Sequence, residues 1–307
     1  MRSGHRLART ALPALVAGML GMAGAAAAAE PIVLVDALDR TVVLPRPAKR
    51  IVPIFASNTE IVAALGLADR VVGIEAYTRH PPEVLDRPLV GGRLGVSVDA
   101  VVAQRPDLVV VTPARQAAHQ LVDPMERIGV PVLVLTHRTV AEVMANIRLV
   151  GRAAGVAERG EAVAARLEAR VAAVAGRVAA RVRPRVVMIT GRVGNGLVLV
   201  ARPRTYTADA IVAAGGRLAL DEGLTLAQVS PEAVLRADPD VLLLAGRPEE
   251  LSELARQPGW RDLRAVVSGR AVAVPRAEVL IPGPRTVDGI ERLAGVLHPG
   301  CDREDAR

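Results

Sequence analysis

The side chains in this sequence best suited to recognising a ligand are arginines. Lys49 is the sole lysine among 39 basic residues, so nearly all positive charge is guanidinium. A guanidinium fork pairs with carboxylate, hydroxamate or catecholate oxygens. Arg79, Arg93, Arg115, Arg192, Arg202, Arg204 and Arg247 all follow short apolar runs that read as strands. The segment AYTRHPPE at 76–83 is the densest candidate. It holds Tyr77, Arg79 and His80 together, and Pro81-Pro82 stiffens it. In so arginine-rich a chain, a background of solvated surface arginines is expected as well.

The second signal is a repeat. SVDAVVAQRPDLVVV at 97–111 and SPEAVLRADPDVLLL at 230–244 align without a gap. Ser97 and Ser230 read as helix N-caps, and Pro231 suits a first helical turn. Asp99 and Glu232 then fall in that turn, where a carboxylate meeting the positive end of the helix dipole is worth ~0.3–1 kcal/mol. Pro106 and Pro239 end each helix, and a buried strand follows each Pro-Asp. The dipole accounts for acids near helix starts. It does not require the same device at matched places in two halves, whereas a pseudo-symmetric pair of lobes does.

Catalytic signatures are missing. G-x-S-x-G and G-x-x-x-x-G-K-[ST] are both absent. TGRVGNG at 190–196 follows the strand RVVMI, but the strand pattern LVLV comes next where a phosphate loop needs a helix. It reads as a hairpin. His80, His119, His137 and His298 show no metal-ligand spacing, and Cys301 stands alone in a polar tail. No catalytic residue, resident metal or cofactor is expected.

Positioning these residues requires an α/β fold. The runs RIVPI, VVV, VLVL, VVMI, LVLV, VLLL and AVAV alternate with helical segments at 114–128, 139–153, 205–214 and 284–297. This implies mostly parallel sheets covered on both faces. SNTEIVAALGLADR predicts a helix closed by Gly66, and VLVDALDRTVVLP predicts a hairpin turning near Asp39-Arg40. From Val156 to Arg181 the chain is Ala-rich and free of proline, which predicts one helix about 39 Å long at ~1.5 Å per residue. The expected divisions are an N-terminal lobe at 30–154, a linking helix at 155–182, a C-terminal lobe at 183–298 and a tail at 299–307.

Residues 1–29 carry a basic start, an apolar Ala/Gly-rich stretch and Ala27-Ala28-Ala29, the pattern of a cleavable secretory signal peptide. No cysteine lies near the cleavage site, so no lipid anchor is expected. Without that segment 36 basic residues face 32 acids, a net charge of +4. No basic stripe with interleaved aromatics is present, which argues against nucleic acid.

Several stretches together resemble one family: RIVPIFASNTEIVAALGLADRVVGI, PLVGGRLGVSVDAVVAQRPDLVVV, VSPEAVLRADPDVLLL, WRDLRAVVSGRAVAVP and PGPRTVDGIERLA. They resemble the substrate-binding proteins of ABC transporters that serve iron chelates, haem and cobalamin. The resemblance spans about Arg50 to Leu297. It implies two Rossmann-like lobes joined by one long spine helix, a ligand held between them, and little flexing. It also implies that Asp99 and Glu232 dock arginines on the two halves of a membrane permease dimer.

The resemblance further bears on the ligand. Haem binders of the class carry a tyrosine where this chain has Gly92, and some carry a histidine where it has Thr190. Cobalamin binders line the cleft with aromatic rings. Only Phe55, Tyr77, Tyr206 and Trp260 are aromatic here, and Trp260 matches a packing position. Phe55, Tyr77, Arg79, His80, Arg93, Arg115, Arg192, Arg202 and Arg247 are therefore the expected ligand contacts. A ferric siderophore is favoured, with cobalamin and then haem as alternatives, ahead of a metal-ion binder or a nucleotide-dependent oxidoreductase. The expected protein is a periplasmic, non-enzymatic monomer.

Overall fold

The computed structural model describes residues 30–92, 95–112, 117–194, 196–220 and 227–300. The chain opens with a hairpin of β1 (Ile32–Val35) and β2 (Thr41–Leu44), turning at Asp39 as the sequence predicts. The first lobe continues with β3 (Ile51–Pro53), α1 (Ala56–Ala64), β4 (Ile74–Glu75), β5 (Leu89–Gly92), β6 (Gly95–Val96) and α2 (Val98–Ala103). It ends with β7 (Leu108–Val111), α3 (Ala117–Arg127), β8 (Val132–Val134) and α4 (Val140–Ala153). Strands β3, β7 and β8 pair in parallel, and Val71 bridges the free side of β3. Every residue of these three strands is buried, which is why they read as unbroken apolar runs.

Helix α5 (Ala157–Val178) leads into the second lobe. There follow β9 (Arg185–Arg192), β10 (Val198–Val200), α6 (Tyr206–Ala213), β11 (Arg217–Leu218), β12 (Gln228–Val229), α7 (Pro231–Ala237) and β13 (Val241–Ala245). The lobe ends with α8 (Pro248–Ala255), α9 (Arg264–Val267), β14 (Ala271–Val274), α10 (Arg276–Val279) and α11 (Thr286–Leu297). Strands β11, β9, β13 and β14 are parallel, and β10 adds antiparallel to the carboxyl half of β9. Strands β9 and β10 form a hairpin, with Val193 N–H donating to Leu197 O at 2.9 Å.

The sequence repeat folds into a repeated corner. Arg105 and Asp238, each before a proline, both have positive φ, at 47° and 35°. The Pro-Asp carboxylates then clamp the start of the neighbouring strand. Asp107 accepts the Arg50 N–H at 2.8 Å ahead of β3, and Asp240 accepts the Arg185 N–H at 2.8 Å at the start of β9. The arginines answer in kind, Arg50 donating to Arg105 O and Arg185 to Asp238 O. Matched pairing of β3 with β7 and of β9 with β13 completes the pseudo-symmetry.

Helix α5 spans 22 residues, shorter than the sequence suggests. Its end tightens, with Ala179 and Arg181 N–H bonding three residues back to Gly176 O and Val178 O. Pro184 then holds Arg183 away from helical geometry as the chain straightens into β9. Along α5, Val163, Ala164, Leu167, Val174 and Val178 face one core that also takes in β3, β9, β13 and α11. Helices α4 and α5 touch backbone to backbone: a Cβ on Gly151 would lie 3.0 Å from Gly160 Cα. Arg148 ties α4 to Glu161 and Glu168, and Arg170 ties α5 to Asp288 and Glu291 on α11.

Two glycines on these helices should respond oppositely. Gly151→Leu should lower stability by about 1–3 kcal/mol through overpacking at the crossing. Gly176→Ala, where a Cβ meets nothing within 4 Å, should raise it by about 0.5–1 kcal/mol. Urea unfolding midpoints of the two variants check both signs.

Candidate functional site

In the first lobe the strand ends converge on Phe55, which follows β3 with φ 74° and ψ 142°. That left-handed backbone is strained for a residue with a side chain and persists only when its surroundings hold it. Glu75, buried at the end of β4, accepts the Phe55 N–H at 2.9 Å. The Phe55 carbonyl accepts from Asn58 and Thr59 N–H at 3.1 and 3.2 Å. Burial pushes the Glu75 carboxyl above its usual range, and the bond from Phe55 partly offsets this.

Beneath Phe55 lies a buried polar network. His137, just beyond β8, meets Asn58 Oδ1 through Nε2 at 3.0 Å and Asn146 Nδ2 through Nδ1 at 3.2 Å. Asn58 Nδ2 donates to Ile54 O at 2.6 Å and to Thr112 Oγ1 at 3.1 Å. The ends of β3, β7 and β8 are thereby tied together. Burial pushes the imidazole down to about 4, so at neutral pH it is uncharged, and the network assigns its proton to Nε2.

The loop beyond β4 carries the predicted trio. Tyr77 is 59% exposed. Arg79 folds back so that Nη1 donates to Ala76 O at 2.5 Å and Thr78 O at 3.0 Å. His80 is exposed, and the His80–Pro81 peptide is cis. Arg93 and Arg115 lie outside the described residues.

In the second lobe Arg192 ends β9 and is exposed. Arg202 and Arg204 are exposed on the connection from β10 to α6. Arg247 follows β13 and pairs with Glu250 at 3.1 Å. Two further residues escaped the sequence reading. Arg276 follows β14, and its Nη1 donates to Thr190 O at 3.1 Å and Ala245 O at 3.0 Å. Tyr206 opens α6 close enough to Arg276 to feel its charge, with burial pushing its phenol up to about 12. The rule that selects Arg247, an arginine directly after an apolar run, also selects Arg276 after AVAVP.

The segments leaving the carboxyl ends of both sheets meet across the lobes. Asp209 on α6 accepts the Val140 N–H at the start of α4 at 2.7 Å. Buried Glu60 on α1 pairs with Arg285 ahead of α11 through both carboxylate oxygens. A groove of about 500 Å³ runs along this seam, lined by His80, Pro81, Glu83, Asp69 and Pro284. Open α/β sheets bind ligands beyond their carboxyl ends, and Arg192, Arg247 and Arg276 stand at that edge of the second lobe. Trp260 is buried in a core cluster of the second lobe.

Asp99 and Glu232 are both exposed in the first turns of α2 and α7. Their caps are as expected: Ser97 accepts from Ala100 N–H and Ser230 from Ala233 N–H. Among the described residues no group of three His, Cys, Asp or Glu side chains is placed to hold a metal.

The His137 network makes stability pH-dependent. The unfolded chain takes up a proton near pH 6.5 that the native fold refuses until about pH 4. Stability should therefore fall as pH drops through that window, by up to about 3 kcal/mol. The difference between the melting profiles of the native chain and His137→Gln isolates this effect from the carboxylates. A flat difference across pH 4–6.5 would contradict it.

Comparison with known proteins places the chain. A cobalamin-binding protein of Halobacterium salinarum is 28% identical over 281 residues, covering 87% of this chain and 74% of that one. An uncharacterized ABC transporter substrate-binding lipoprotein of Bacillus subtilis is 24% identical, covering 89% and 88%. The apo structure of a periplasmic heme-binding protein from Roseiflexus superposes with a TM-score of 0.72 at 29% identity, covering 83% of this chain and 99% of that one. Residues 51–277 match the model of the periplasmic binding protein family. With two pseudo-symmetric lobes on a shared helix, and strand ends converging on the seam between them, this chain belongs to the periplasmic binding protein family.

Proposed function

We propose that this protein captures a ferric siderophore between its lobes and delivers it to the permease of an ABC importer. The observation that carries this reading is the set of arginines beyond the parallel strands of both lobes, including Arg79, Arg192 and Arg276. Guanidinium forks match the anionic oxygens that wrap ferric iron. Tyr77 and Phe55 add apolar contact on the first lobe. The shared core and the Glu60–Arg285 pair support a cleft that changes little on binding.

The alternatives share the architecture. Relatives named for cobalamin and for haem support a large metal-bearing ligand. Against haem, Gly92 and Thr190 stand where binders of that class offer tyrosine and histidine. Against cobalamin, the cleft has few rings to give. The protein acts without catalysis, after export, and as a monomer. Its permease contacts are Asp99 and Glu232, one exposed acid per lobe.

Calorimetric titration with ferric siderophores, cyanocobalamin and hemin checks the ligand. Saturable micromolar or tighter binding of a ferric siderophore alone is expected. Preference for cobalamin or hemin would replace that ligand, and no binding by folded protein would refute the cleft reading. For docking, Asp99→Ala combined with Glu232→Ala should abolish uptake in cells while changing ligand affinity less than twofold. Lost affinity in the purified double variant would contradict the docking role.

A further inference from the structure

We propose that Arg276 is the second lobe's anchor for an anionic ligand, acting together with Arg79 of the first lobe to select ferric complexes of net negative charge. This rests on the ferric-chelate function proposed above and narrows it to a charge class. Arg276 opens α10 directly after β14, and Nη1 reaches the carbonyls of Thr190 on β9 and Ala245 at the end of β13. One guanidinium thus lies across the carboxyl ends of three adjacent parallel strands.

The partners of that guanidinium decide its use. Two carbonyl oxygens fix the plane of the fork but carry no formal charge. Three of the five N–H donors, on Nη2 and Nε, remain for a ligand. Two arginines at the strand ends and seam differ: Arg247 is paired with Glu250, and Arg285 with Glu60. Arg276 forms no salt bridge among the described residues. Glu250 is a carboxylate within its electrostatic reach, and it is held by Arg247. Arg79 uses the same device on the first lobe, with Nη1 held by Ala76 O and Thr78 O.

Tyr206 fits this arrangement. Its phenol stays protonated at neutral pH, so it adds a neutral group rather than a negative one beside Arg276. A neutral ligand closing over this cluster would desolvate an uncompensated charge, which is costly. An anionic ligand pairs with it instead.

The test is calorimetry on the native chain, Arg276→Gln and Arg276→Lys, at low and high salt. The probes are a trianionic ferric tricatecholate, a neutral ferric trihydroxamate and iron-free citrate, with melting temperatures as the fold control. The native chain should prefer the tricatecholate at least tenfold over the trihydroxamate, with affinity falling as salt rises. Arg276→Gln should lose at least tenfold for the tricatecholate and less than twofold for the trihydroxamate, with Arg276→Lys between. Should Arg276→Gln fail to fold, the native preference, its salt dependence and the lysine variant still decide. Equal binding of both ferric probes, or equal loss of both in Arg276→Gln, would overturn the anchor and leave the ferric function intact. Binding of citrate through Arg276 without either ferric probe would sink the ferric function and keep the anchor. If folded protein binds none of the three, both fall.

Discussion

The apolar stripe of α5 packs into a core that belongs to both lobes, and the rest of the structure depends on it. Val163, Ala164, Leu167, Val174 and Val178 all join that one core, which holds residues of both lobes. A connection of this kind differs from a pair of extended linkers. Moving one lobe against the other would expose buried apolar surface at about 25 cal/mol per Å². The Gly151–Gly160 crossing brings α4 close enough to make that packing tight, and the charge bridges of Arg148 and Arg170 fix α5 at each end. The cleft is therefore a consequence of the core rather than of loops that happen to meet.

On this scaffold each lobe repeats one corner: a capped short helix, a left-handed residue, a proline and an aspartate that clamps the start of the neighbouring strand. The corner holds β3 against β7 and β9 against β13 in the same register. It also leaves one acid exposed on the first turn of each helix. A single geometric unit therefore serves both the parallel sheet and a paired outer surface, which explains why stability and docking readings of Asp99 and Glu232 are compatible.

Charge is handled in two ways at the seam. Buried groups are neutralised: His137 sits uncharged within its amide network, and Glu60 is matched by Arg285. At the strand ends, by contrast, Arg79 and Arg276 are held by carbonyl oxygens, which orient a guanidinium without cancelling it. Strain at Phe55 is locked by Glu75, at the end of the strand that leads into the Arg79 loop. Positive charge oriented without a paired acid is what an oxygen-rich anion requires.

Much of this was legible in the sequence. Buried parallel strands announce themselves as unbroken Val/Leu/Ile runs, and the Ser-x-Asp and Ser-Pro-Glu starts marked α2 and α7 correctly because capping is local. The spine was overextended by a turn, since the periodicity of VAAR persists past the point where Pro184 and strand pairing take over. Arg276 and Tyr206 were passed over although each stands just where the chain leaves a strand or its connection. The sequence by itself determined the alternation of elements, the duplication and the two exposed acids, because those follow from short-range periodicity and helix-end chemistry. Only the tertiary structure decided which arginines are neutralised by acids and which are held by carbonyls. For Arg276 and Arg285 that choice is made by Ala245 and Glu60, 31 and 225 residues away, which no local pattern encodes, whereas Arg79 and Arg247 find their partners within three residues.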